Sequence, residues 1–147
     1  MKKEQIKLIR RNNNRVIENE WLYFLYDEVL LYCETETDNF EGYNLNKNPF
    51  LNKLQDEIGF TLISKMNDAK VGQIDTFYYS KGYGKIEGFF RHLRNAIAHN
   101  RIFLKEDKVG LIIEDANNNQ LTMYAEVSSF NKLQDIIKGI KRNKKRI

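Results

Sequence analysis

Arg94, Asn95 and His99 stand in one six-residue run, Arg-Asn-Ala-Ile-Ala-His, and no other stretch of the chain is better equipped for chemistry. An imidazole moves protons near neutral pH, and a guanidinium braces phosphate oxygens through paired N–H donors. The amide beside the guanidinium can orient the imidazole or bond a phosphate oxygen itself. Together the three groups suggest phosphodiester chemistry without a metal. Cys33 is the only cysteine, which excludes an internal disulfide and any multi-cysteine zinc site. His92 and His99 are the only histidines. Seven residues apart, they share an azimuth but are separated by about 10 Å along a helix axis, too far for one metal. We expect neither a metal nor a cofactor.

The segment that must position these groups is apolar at a helical period. Ile86, Phe90, Leu93 and Ile97 recur at three- and four-residue spacing and predict a helix over about 85–99 with that stripe inward. At about 100° per residue, Asn95 and His99 stack on one face, nearly opposite Leu93 and Ile97. Arg91 and His92 flank that face and, with Arg101, are the candidate substrate-binding residues. Arg94 lies about 140° from His99 around the cylinder. One undistorted helix cannot easily bring both to one phosphate. Either the helix ends or distorts near His99, or a second copy of the chain supplies the missing half. A histidine in a last helical turn is also a plain favourable neighbour of exposed carbonyls, and Asn100 and Arg101 could simply end the helix.

The run Leu93-Arg94-Asn95-Ala96-Ile97-Ala98-His99-Asn100, with small alanines between its polar groups, resembles the Arg-x4–6-His motif of the HEPN superfamily. These are small helical proteins that include many RNA-cleaving toxins and antiviral effectors. The resemblance implies an antiparallel helical bundle and a homodimer whose two motifs meet across a two-fold axis in a composite active site. It implies a metal-independent endoribonuclease in which Arg94, Asn95 and His99 are catalytic and the ribose 2′-hydroxyl attacks the adjacent phosphorus. It further implies restraint by an antitoxin or regulatory protein, or a part in abortive infection. Two alternatives stay open: a non-catalytic dimer of this type that holds RNA or a nucleotide, and a purely structural partner-binding module.

The rest of the chain reads as one domain over 1–147. Of the 147 residues, 41% are apolar and 30% charged, which suits a globular protein, and no apolar run approaches membrane-spanning length. The start Met1-Lys2-Lys3-Glu4-Gln5 is no secretion signal, so a cytoplasmic protein without membrane contact is expected. The net charge is only +4, but residues 1–15 carry six basic side chains against one glutamate, and 138–147 carry six against none. A polyanion such as RNA would be drawn to wherever those ends meet. A tail of that kind is equally a solvated helix end.

Trp21, Leu22, Leu25, Val29 and Tyr32 trace a first helix within about 3–36. Asn48-Pro49 opens a second that runs to about Asn67, with Gly59 weakening its middle. Phe77-Tyr78-Tyr79 is ambiguous between a short helix and extended packing. Two or three antiparallel strands are predicted over an insertion at about 101–127, with Phe103 and Tyr124 in the core. Ser128 or Ser129 then caps a last helix with Phe130, Leu133, Ile137 and Ile140 along its seam. The expected fold is mainly α (α+β): an antiparallel helical bundle with a small β-meander before its last helix.

Overall fold

The computed structural model describes residues 17–35, 40, 44–80 and 84–143. Helix α1 (Asn19–Leu25) passes through a π-helical turn (Tyr26–Leu30) into α2 (Leu31–Thr35), and this run buries Leu25, Val29 and Cys33 at four-residue spacing. Helix α3 spans Asn48–Ile58 and strand β1 Thr61–Ile63. After a 3-10 turn at Met66–Asp68 come β2 (Thr76–Tyr79) and α4 (Lys85–Ala98). Strands β3 (Ile102–Leu104), β4 (Leu111–Asn117) and β5 (Gln120–Val127) precede α5 (Phe130–Arg142).

This architecture corrects the expected helical bundle with a small meander. Among the described residues the strands form a single five-stranded mixed sheet in the order β1-β2-β5-β4-β3, with β1 and β2 parallel and the other pairs antiparallel. Two of its strands lie before the motif helix, in stretches where the sequence pattern had indicated helix or nothing definite. The physical cause begins at Gly59. Its φ of 85° takes the left-handed region open to glycine, and α3 stops there instead of running to Asn67. Lys132 Nζ then donates to Ile58 O at 2.8 Å, satisfying a terminal carbonyl and tying α3 to α5. Phe77, Tyr78 and Tyr79 are all buried because β2 is covered on both faces, so the strand carries no alternation to read.

Helix α4 forms where its period places it and packs its buried Ile86, Phe89, Phe90, Leu93, Ala96 and Ile97 against the sheet and the α1–α2 run. Phe89 meets Phe77 edge-on at 5.1 Å. Its start is held by Asn46, whose Oδ1 accepts the Ile86 N–H at 3.1 Å. Ser129 caps α5, accepting the Lys132 N–H at 3.1 Å, and Phe130 stacks on Trp21 with centroids 4.6 Å apart. Lys138 and Lys141 of the predicted basic tail lie over the Phe24 and Tyr32 rings, and Lys141 also pairs with Glu28. The basic stretch 1–15 and the tail residues 144–147 lie outside the described residues. Among those described, no helix is long and apolar enough to cross a membrane.

Candidate active site

The motif occupies the last turns of α4, and the way that helix stops decides where His99 goes. Asn100 takes a φ of 55°. Its N–H donates to Ile97 O at 3.2 Å, and the Arg101 N–H reaches back to Ala96 O at 2.8 Å. This pair of bonds around a left-handed residue is a Schellman stop, and asparagine tolerates that backbone better than most side chains. His99 becomes the cap residue. Its ring is exposed and makes no hydrogen bond or ion pair with any described residue.

Arg94 is held from two sides. Its Nη2 donates to Glu34 Oε1 on α2 at 2.7 Å, and its Nη1 donates to Asn95 Oδ1 at 3.1 Å. Two of the guanidinium's donors are committed, and its side chain remains 39% exposed. Asn95 in turn donates from Nδ2 to Asp115 Oδ2 at 3.3 Å. That same oxygen accepts from His92 Nδ1 at 2.8 Å, while His92 Nε2 donates to Ser80 O at 3.0 Å. Ser80 is fixed by its own N–H, which donates to Thr122 O at 2.9 Å. The chain Ser80–His92–Asp115–Asn95–Arg94–Glu34 therefore runs from the sheet, under α4, to the N-terminal helical run.

Strand alternation explains how an aspartate arrives there. Leu111, Ile113 and Asp115 share one face of β4, and α4 packs on that face, so Asp115 continues the core stripe beside the bulge at Asp115/Ala116. A buried carboxylate needs partners, and Asp115 has them. Burial alone would raise its pKa, but hydrogen bonds from His92, Asn95 and Thr122 and the attraction of the His92 ring hold it below the ordinary value. Ser80 O can only accept, so the His92 ring is held to it through Nε2, and Nδ1 faces the carboxylate of Asp115.

The structure thus joins Arg94, Asn95 and His92 in one network and leaves the others apart. His99 stands at the helix end. Arg91 pairs with Glu87 one turn earlier on α4. Arg101 turns to the opposite face of the sheet, where Nη2 donates to the fully buried Glu114 at 2.9 Å. Glu34, Ser80 and Asp115 escaped the sequence reading. The one signal for Asp115 was the pair Glu114-Asp115 inside an apolar strand, since carboxylates there imply fixed partners.

A family model described as HEPN pEK499 p136 matches residues 6–144. No curated protein and no solved structure matches the chain.

Proposed function

The chain belongs to the HEPN family, and from that membership we propose that it is a metal-independent endoribonuclease. The observation that carries the proposal is the contrast between the two ends of its motif. Arg94 is an oriented fork with donors that no described residue takes, and His99 is an exposed imidazole uncommitted to any described residue. In the reaction the ribose 2′-hydroxyl attacks the adjacent phosphorus and the P–O5′ bond breaks. A 2′,3′-cyclic phosphate and a 5′-hydroxyl end result. Arg94 stabilises the charge that grows on the non-bridging oxygens, and His99 takes the 2′ proton or supplies the one the 5′ oxygen needs. The requirement for a 2′-hydroxyl restricts the substrate to RNA.

Within one protomer Arg94 points to Glu34 while His99 projects from the end of α4, and no hydrogen bond joins them. The proposal therefore includes a homodimer with a composite site. Tyr23 and Leu31, 68% and 52% exposed, are apolar surface on the helical run that bears Glu34 and are available for such a contact. A free ribonuclease harms its own cell, so we place the protein as a cytoplasmic toxin or antiviral effector restrained by an antitoxin or regulatory partner.

The test is incubation of wild type and His99→Ala with total RNA in EDTA, followed by analysis of the ends. The expected outcome is cleavage by wild type alone, leaving cyclic phosphates, with both proteins equally folded. Cleavage by His99→Ala at the wild-type rate would refute the mechanism. RNA bound by both and cut by neither would transfer the reading to a non-catalytic binding dimer.

A further inference from the structure

We propose that Asp115, on β4 and outside the motif, is a positioning residue for Arg94 that acts through the amide of Asn95. The role rests on the reading of Arg94 as the phosphate-bracing group. A single oxygen, Asp115 Oδ2, receives both His92 Nδ1 and Asn95 Nδ2. An ionised carboxylate only accepts, so it compels Asn95 to turn its NH2 inward and its carbonyl oxygen outward. That oxygen is the one Arg94 Nη1 donates to. Were the amide reversed, its NH2 would face the guanidinium and the bond would be replaced by a clash of donors. The sheet thereby dictates which way the motif's amide points, and the amide fixes one arm of the guanidinium.

His92 makes the arrangement firm. Its other nitrogen is pinned to Ser80 O, and its ring lies 6.0 Å from the ring of the fully buried Tyr79, so it cannot swing away from Asp115. Asp115→Asn preserves the volume but no longer compels the arrangement, because an amide can present either its oxygen or its nitrogen. If its oxygen replaces Oδ2, His92 and Asn95 keep an acceptor but lose the full negative charge that fixes them. If its nitrogen does, Asn95 must reverse. Asn95 is then no longer held to one orientation, and Arg94 loses its fixed arm while the core stays filled.

The experiment is a double-mutant cycle on the full chain with Asp115→Asn, Asn95→Ala and the pair. Each protein is measured for thermal midpoint, for kcat and KM on cleavable RNA, and for affinity to a 2′-O-methyl oligoribonucleotide that cannot be cut. A misplacement of this kind costs about a hundredfold in kcat. Both single variants are expected to show that loss together with weaker affinity for the uncut oligonucleotide, and the pair to be no worse than either. Wild-type kcat and affinity in Asp115→Asn would overturn the proposal, as would losses that multiply in the pair. A lowered thermal midpoint with unchanged kcat per folded molecule would also overturn it, leaving Asp115 a purely structural residue. If wild type does not cleave, the ribonuclease reading fails separately. The same non-additive pattern in affinity would then still support the positioning role, and unchanged affinities would end it. Should Asp115→Asn not fold, Asn95→Ala on the half-exposed helix face decides: wild-type behaviour overturns the relay, and loss of kcat with affinity supports it.

Discussion

Asp115 is ionised in the fold because two donors from α4 and one from Thr122 outweigh its burial, and that balance has a pH signature. Unfolded, its carboxyl returns to about 4; folded, it sits lower. A group depressed in the folded state contributes its full stability above the unfolded value and loses it as pH falls through the folded one. Glu126 follows the same direction: burial opposes its charge, but the Gly72 N–H, Lys105 and Tyr124 prevail. Urea unfolding should therefore show stability falling as pH drops below about 4, and Asp115→Asn should flatten part of that fall. Parallel curves for the two proteins would mean that Asp115 is not held as a paired carboxylate. At this scale the sequence was half legible. Arg94, Asn95 and His99 could be singled out as candidates because residue type and spacing are local properties of the sequence. Their supports could not, since Glu34 and Asp115 stand 60 and 20 residues from the side chains they hold. His92 looked like a substrate contact because helical azimuth places it beside the polar face. Azimuth alone could not reveal that a strand lies against that flank.

Helices α4 and α5 were legible as elements because each buries one apolar stripe, and a stripe is a local property of the sequence. Strands β1 and β2 were not. At three and four residues they are too short to establish a period, and their pairing is decided by partners far along the chain. Gly59 shows how one residue divides the two outcomes. As a mid-helix glycine it would be only a weak point, replaceable by alanine with a gain in stability. As a left-handed stop it is required, because a Cβ at φ 85° costs about 1–2 kcal/mol. Gly59→Ala should thus lower the free energy of unfolding by about that amount. A stabilised Gly59→Ala would mean that α3 continues past Ile58. The stop at Asn100 obeys the same rule with a different residue. It also makes His99 the cap residue, the last position at which α4 still holds the chain by a bond to Asn95 O.

At the scale of the whole molecule, Arg94 and His99 belong to one helix yet serve different directions, and this separates a site built within one chain from a site shared by two. Arg94 is tied toward α2 by Glu34, and His99 caps α4 at its far end. Neither Arg94→Ala nor His99→Ala homodimers should cleave. If each site takes its arginine from one protomer and its histidine from the other, mixing the two dead variants re-creates an intact site. A mixed dimer of this kind has one site lacking both groups and one lacking neither. With free exchange half the dimers are mixed, so about a quarter of the wild-type activity should return. A site contained in one chain behaves oppositely, because every protomer in the mixture then lacks one group and the activity stays at zero. Exchange is checked by tagging one variant and recovering the other with it. Recovery of mixed dimers without activity would therefore place both residues of each site in a single protomer and require α4 or Arg94 to move before RNA is cut.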